Sequence, residues 1–448
     1  MKRTIKNLAE TARQLFAEVL LKVDAENALR SAIRLENRQM QIFESVFDLD
    51  KFPEIYVIAF GKAGMSMALA LNEILAERIV SGVVSAPKSA RALPPNWQVF
   101  MGGHPLPNKA SLAAARAATE ILEKANHEQA LVIFLVSGGG SAMLELPRDK
   151  KITLKDLQAA NKILVSCGAP IGEVNAIRRC LSRIKGGGLS KFAPLATQIS
   201  LIISDTNRGD EANVASGPTI ESLMTENFVS SICAIIEKYQ LNILFPPPIA
   251  NALKVFLNKT LPNPVPPTNR SFFTLMDNQT ALETIVESAK NLGFQVEITT
   301  DLVETPITSG CQELVSRLVK LLKSADEKPV ALISGGEFAC PVRGTGIGGR
   351  NSEATLRCLL EIEKFNKDKF EFAILNAGTD GIDGNSPATG ATADNTTLAR
   401  AKSIDLNATE FLANSDTYTF FATLDDTIIT GTTGTNVRDV RILLTQYK

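Results

Sequence analysis

Two hydrophobic patterns alternate along most of the chain. Short continuous apolar runs read as buried strands, and longer stretches with apolar residues every three or four positions read as helices. Ile5, Leu8, Ala12, Leu15, Phe16, Val19 and Leu20 share one helical face, which predicts helix over 4–35. The run Glu54–Phe60 predicts a strand, turning at Gly61-Lys62-Ala63-Gly64 into a helix over Met65–Ile79. Further strands are predicted at Gly82–Ser85, Gln98–Met101, Ala130–Val136 and Gln198–Ile203, with helices at Lys109–Lys124 and Leu154–Val165. A proline-dense patch follows, Phe245–Pro248 and Pro262–Pro267. Alternation then resumes with strands Ser271–Met276, Phe294–Thr299, Pro329–Ile333 and Phe370–Asn376, and helices Asn278–Leu292 and Thr308–Lys323. A polar glycine loop, Ala377–Ala393, and two last strands, Asp426–Thr430 and Val437–Leu444, complete the pattern.

Such alternation predicts an α/β fold of two domains with mostly parallel, Rossmann-like sheets. The expected division is an N-terminal domain over 1–245, a proline-rich linker or excursion over 246–270, and a C-terminal domain over 271–448. A chain of 448 residues is long enough for two such cores.

Charge is balanced, 47 Lys+Arg against 48 Asp+Glu, with no basic stripe, so a nucleic-acid partner is not expected. No apolar run has the length of a membrane span, and the basic start Met-Lys-Arg lacks the apolar core of a signal peptide, so a cytoplasmic protein is expected. The six cysteines show no CxxC spacing, which suggests neither a disulfide framework nor a zinc site. The only histidines, His104 and His127, leave little room for histidine–metal or histidine-base mechanisms.

The candidate chemistry lies in glycine-rich turns. Ser137-Gly138-Gly139-Gly140-Ser141 and Ser334-Gly335-Gly336-Glu337 follow buried strands. Gly344-Thr345-Gly346-Ile347-Gly348-Gly349-Arg350-Asn351 opens into the helical pattern Ser352–Phe365. Backbone N–H groups of such turns, with a helix start behind them, make a seat for phosphate or carboxylate. Lys62, at a strand-to-helix turn, places an ammonium where it can meet an anion, although the P-loop spacing is absent. Asp205 ends a buried strand and Asp210 follows; either can bind a divalent cation or accept a hydroxyl proton, or simply cap a turn. Asp380 and Asp383 sit in a loop that suits a metal or a rigid Asx turn. Lys185 ends a basic helix carrying Arg178, Arg179 and Arg183, which suits an anionic substrate or a glycine C-cap. The spacing Gly344-x-Gly346-x-x-Gly349 also meets the dinucleotide fingerprint, after a short, proline-containing run that makes a poor central strand.

Taken together, the motifs resemble the class II glycerate kinases, the glycerate 2-kinase family with a C-terminal MOFRL domain. The resembling blocks are Ala59–Ala63, Gly103–Pro107, Ser137–Ala142, Leu181–Gly187, Ser204–Thr219, Ser334–Glu337, Gly344–Asn351, Ala377–Gly384 and Gly431–Asp439, in family order. The resemblance implies two α/β domains with the active site in the cleft between them, ATP and Mg²⁺, and D-glycerate phosphorylated at its 2-hydroxyl. It places the family's active-site lysine on Lys62 and its arginine on Arg350. Asp205 is the expected base or metal ligand, with Asp210 and Asp380 as further metal ligands. Ser137, Gly138, Gly139, Gly140, Ser141, Lys185, Gly335, Gly336, Glu337, Gly346 and Gly348 are the expected nucleotide contacts. Arg350 and the Lys185 region both remain open for the glycerate carboxylate, and a homodimer remains open as the assembly. Ser352 and Cys180 depart from the usual Gln and His of the family. Two rivals stand beside this reading: an NAD(P)-dependent hydroxypyruvate or 2-hydroxyacid reductase, suggested by Gly344–Gly349, and a non-catalytic sugar-acid or nucleotide binding module.

Overall fold

The fold is described from a computed structural model over residues 6–221, 225–258, 269–365 and 369–448. Contacts divide it into two compact units, Ala25–Leu275 and a second made of Met1–Asp24 with Met276–Lys448. Among the described residues no helix is long and apolar enough to cross a membrane.

The unit Ala25–Leu275 is built on six strands in the order Trp97–Met101, Ile79–Ala86, Ile55–Phe60, Leu131–Ser137, Thr197–Ile203 and Arg270–Met276. The pairs among the first five are all parallel. Every residue of Ile55–Phe60 and Leu131–Ser137 is buried, as expected of central parallel strands covered on both faces. Helix Lys109–Glu128 lays Ala114, Ala118, Leu122 and Ala125 into the core of Tyr56, Ile58, Val132 and Phe134. The register matters for chemistry. Phe60 stands opposite Val136 and Ser85, Ser137 opposite Ile203, and Ala86 opposite Met101. The loops after these strands therefore leave the sheet at one level, along one carboxyl edge.

The second unit carries strands in the order Gln295–Thr299, Val330–Gly336, Asp439–Tyr447, Phe370–Gly378, Gly390–Asp394 and Thr427–Ile428. This sheet is mixed, unlike the mostly parallel one expected: only the first pair is parallel. The last strand enters the middle of the sheet antiparallel to both neighbours, and a buried strand has the same apolar run in either direction. Asp439, its first residue, thereby meets the carboxyl ends of both flanking strands, opposite Gly336 and Gly378. Gly390–Asp394 falls in the segment read from sequence as a loop; its residues Gly-Ala-Thr-Ala-Asp have too little apolar bulk to register as a strand.

The expected domain limits shift at three places. The N-terminal helical pattern resolves into Leu8–Lys22 and Ala25–Ala32, and the first belongs with the second unit. Its buried face, Leu8, Ala12, Leu15, Phe16 and Val19, packs against helix Asn278–Asn291 and strand Phe370–Gly378. An amphipathic pattern tells that a helix covers apolar surface, not which sheet it covers. Strand Arg270–Met276, expected in the C-terminal domain, is an edge strand of the first sheet. Within the expected linker, Pro247–Leu257 is a helix that buries Ile249, Ala252, Leu253 and Phe256. Its prolines occupy the first turn, where a missing N–H costs nothing. The remaining prolines, Pro262–Pro267, lie outside the described residues.

Candidate active site

Four loops on the carboxyl edge of the parallel sheet carry the first group of candidate residues. Gly61 follows Phe60 with φ +107°, a backbone that side chains other than hydrogen rarely allow. The turn beyond it is bonded to the neighbouring loop: Lys62 N donates to Gly138 O at 2.8 Å and Ala63 N to Ser137 Oγ at 3.0 Å. Lys62 is thereby fixed against the Ser137–Ser141 turn. Gly138 lies so close to the Asp205 carboxylate that a methyl there would overlap it. A methyl on Gly139 would come 3.3 Å from Lys62 Cγ and 3.1 Å from His104 Cδ2. Ser141 shares a 2.6 Å hydroxyl–hydroxyl bond with Ser216, which donates in turn to Asn175 Oδ1 at 2.9 Å. Among the described residues, no backbone carbonyl accepts from the amides of Gly138, Gly139, Gly140 or Ser141.

The other two glycine segments differ, and they correct the expectation of three anion seats: Ser334-Gly335-Gly336 is the end of strand Val330–Gly336 rather than a turn. Gly336 N donates to Asn278 Oδ1 at 3.0 Å. The carbonyls of Gly335 and Gly336 face the buried guanidinium of Arg441, which also donates to Ser334 Oγ. Burial pushes Arg441 down to about 10 against the pull of Asp439. This strand end presents acceptors to a cation rather than donors to an anion. In the third turn Gly346 N donates to Asn414 O, Ile347 N to Asp416 Oδ1 and Gly348 N to Asn385 Oδ1. These amides are taken up by the segments around Asn385 and Asn414–Asp416, and Ala339–Arg343 before the run is not a strand of the sheet. The dinucleotide fingerprint is therefore a coincidence of spacing. A cavity of about 380 Å³ does open beside this run, lined by Phe338, Val342, Gly346, Gly348, Arg350 and Asn385 among others.

Arg350 opens helix Arg350–Ile362 and forks onto Asp439, Nε to Oδ2 and Nη2 to Oδ1 at 3.0 Å, with Glu337 Oε1 at 2.9 Å from the same nitrogen. Burial works against this charge, but Asp439 and Glu337 outweigh it and hold the guanidinium above its ordinary range. Asn351 Nδ2 adds a 3.1 Å bond to Asp439. Asp383 caps the helix by accepting from Asn351 N, Ser352 N and Ser352 Oγ. Burial pushes its carboxyl up to about 6 in spite of those donors.

Three expected contacts belong to the framework instead. Lys185 is buried and paired with Glu145, so it is not a surface cation awaiting an anion. Burial pushes its ammonium down and Glu145 opposes that shift. Asp210 accepts from the Asn213 side-chain amide and lies near Arg179, a setting that favours a turn over a cation site. Asp380 Oδ1 accepts from Ile382 N at 3.2 Å, an Asx turn. Among the described residues no three His, Cys, Asp or Glu side chains gather as metal ligands. His104 is the candidate that sequence reasoning underweighted. Its signal was the position of Gly103-His104-Pro105 directly after strand Trp97–Met101, on the same edge as Lys62.

A lysine turn and a glycine-rich turn bonded side by side, with an aspartate behind, form at the carboxyl edge of an α/β sheet an arrangement that can seat an anionic group. Residues 11–254 match the model of a domain of unknown function, DUF4147, and residues 330–439 match that of the MOFRL family. Human glycerate kinase is 32% identical over 97% of this chain and 93% of its own length. D-Glycerate 2-kinase of Thermotoga maritima is 32% identical over 87% of this chain and 90% of its own. The crystal structure of glycerate kinase from Thermotoga maritima superposes with a TM-score of 0.80 at 28% identity, covering 97% of this chain and 99% of that one. The chain belongs to the glycerate kinase family of DUF4147–MOFRL proteins.

Proposed function

We propose that the protein transfers the γ-phosphoryl group of ATP to the 2-hydroxyl of D-glycerate, giving 2-phosphoglycerate and ADP. Family membership supplies the reaction class. The observation that carries the assignment of residues is the junction of the Lys62 and Ser137–Ser141 turns, bonded through Lys62 N and Ala63 N. Phosphoryl transfer asks for positioning and charge neutralisation more than for covalent chemistry. The Gly138–Ser141 amides seat phosphoryl oxygens, and the Lys62 ammonium offsets the charge that moves toward the leaving oxygen.

Magnesium fits this setting. The ion keeps few protein carboxylates and takes its other ligands from phosphates and water, so Asp205 beside Gly138 suffices from this unit. Bound there, it would neutralise phosphate charge. Asp210 and Asp380 are not assigned to it, because their carboxylates serve local turns. With Lys185 engaged by Glu145, Arg350 is the better candidate for an anionic substrate group, held in its fork by Asp439. The reductase reading loses its support with the consumed amides of Gly346 and Gly348.

The test is a coupled assay on the purified protein. ADP release that requires both D-glycerate and Mg²⁺, with 2-phosphoglycerate as product, is expected. NADH oxidation with hydroxypyruvate and no ADP would overturn the assignment.

A further inference from the structure

We infer that His104 is the general base that accepts the proton of the 2-hydroxyl, a role that rests on the kinase reading above. The argument begins with the register. Strands Trp97–Met101, Ile79–Ala86, Ile55–Phe60 and Leu131–Ser137 are neighbours and end at one level. The loop Gly102–Pro105 therefore leaves the sheet on the same edge as the Lys62 and Ser137–Ser141 turns, with strand Ile79–Ala86 between. Gly102 is pressed against Ser85 Oγ and Met143, and Gly103 N donates to Ser111 Oγ at 3.0 Å, so the backbone on both sides of this step is held. The imidazole reaches the glycine turn itself. A methyl on Gly139 would lie 3.1 Å from His104 Cδ2 and 3.4 Å from Nε2.

Three chemically distinct groups thus flank two consecutive glycines. Asp205 adjoins Gly138, while Lys62 and His104 adjoin Gly139. A phosphoryl group seated on these amides has its attacking hydroxyl in contact with phosphorus, about 3–3.5 Å away. A base for that hydroxyl must therefore flank the same turn. Of the flanking groups, Lys62 carries a positive charge suited to phosphoryl oxygens. Asp205 is a carboxylate, a weak base whose ordinary value lies far below neutrality. An imidazole titrates near 6.5 and matches a neutral operating pH, which is where general-base catalysis is most effective. His104 is also solvent-exposed, so the proton it collects can leave to water.

The step balances without a further reactant. The 2-hydroxyl oxygen bonds to the γ-phosphorus as its proton passes to the His104 imidazole. The bond from γ-phosphorus to the β–γ bridging oxygen breaks, and its electron pair leaves on ADP. The imidazolium then releases its proton to solvent.

The experiment compares the wild type with His104→Ala and His104→Asn, each checked for an unchanged thermal unfolding midpoint. We expect kcat to fall at least a hundredfold in both, in line with loss of a positioned base, with KM for ATP little changed. The acidic limb of the wild-type kcat/KM profile should vanish in His104→Ala, and added imidazole should restore part of its rate. Lys62→Ala should lower the rate yet keep that limb. Wild-type ADP release combined with a kcat within threefold of normal in His104→Ala overturns the assignment. So does a large loss that keeps the limb and shows no imidazole rescue, since a structural role predicts that result. A wild type that releases no ADP with glycerate removes the kinase reading and this role together.

Discussion

At the scale of single residues, environment separates the cations that sequence could only list together. Lys62, Lys185 and Arg350 all adjoin glycine-rich segments, yet of the three only Lys62 stands on a turn bonded directly to the Gly138 loop. Lys62→Ala should lower kcat/KM by roughly a hundredfold, the usual loss for one electrostatic transition-state contact, while the unfolding midpoint stays put. Steady-state kinetics beside a thermal melt checks both halves, and normal kinetics in a folded variant would remove Lys62 from the reaction. For Arg350 the structure sharpens the question. Its partner Asp439 is buried, so Arg350→Lys breaks a two-pronged contact that an ammonium cannot copy and leaves a carboxylate under-satisfied. A stability loss of about 1–3 kcal/mol is expected, above the value for a surface pair. A raised KM for glycerate would mark a carboxylate contact, and a reduced kcat would mark a phosphoryl contact. Unchanged stability and unchanged kinetics together would contradict the fork described here. Lys185 shows why the sequence misled: a lysine before three glycines reads the same whether its ammonium faces solvent or Glu145, because a partner forty residues away leaves no local signal.

At the scale of elements, strand ends carry the chemistry, and their register decides which loops meet. The parallel strands were legible because buried runs such as Ile55–Phe60 leave no polar face to confuse the pattern. The hairpin-like strands Ile33–Glu36, Gln39–Ile42 and Ser45–Asp48 were not, since their short alternating stretches bury few residues. Ser334-Gly335-Gly336, read from sequence as a turn, continues the strand, and the polarity of the glycine segments was invisible, because it depends on partners distant in sequence. The strand end Ser334–Gly336 is the clearest case. Its two glycine carbonyls converge on Arg441, whose guanidinium also stacks 3.6 Å from the Phe338 ring centroid. Arg441→Met would leave Ser334 Oγ and two buried carbonyls without their donor. The expected cost is about 3 kcal/mol or more, since each unsatisfied buried acceptor costs about 1–3 kcal/mol. Chemical denaturation measures it directly. Arg441→Lys should recover only part, for one ammonium cannot span three acceptors with the guanidinium's planar spread. If Arg441→Met unfolds at the wild-type denaturant midpoint, the strand end is not held in this way.

At the scale of the whole molecule, the alternating pattern revealed two α/β units but not how the chain is shared between them. The expected limits followed sequence order, whereas the observed units exchange segments at both ends: Leu8–Lys22 joins the C-terminal sheet, and Arg270–Met276 stays with the N-terminal one. Nothing local distinguishes these choices, because an amphipathic helix and an edge strand fit either apolar face equally well. The energetics make the helix a member of the second unit rather than an ornament. Leu8, Leu15, Phe16, Val19 and Val23 are buried, and Arg13 donates to the carbonyls of Asp426 and Thr427. At roughly 1.5–3 kcal/mol for each large apolar side chain, this face is worth on the order of 10 kcal/mol before the cost of ordering the helix. That is comparable with the entire stability of an ordinary domain. Deleting residues 1–24 should therefore loosen Met276–Lys448 selectively. Hydrogen exchange resolved by segment is the decisive measurement. Strands Phe370–Gly378 and Asp439–Tyr447 should lose protection by several orders of magnitude, while Ile55–Phe60 and Leu131–Ser137 keep theirs, because their sheet lies in the other unit. With Arg350 as the proposed contact to the substrate anion, glycerate-dependent ADP release should fall as its fork with Asp439 is lost. Equal protection in all four strands after the deletion would show that the N-terminal helix contributes nothing to the second unit's stability.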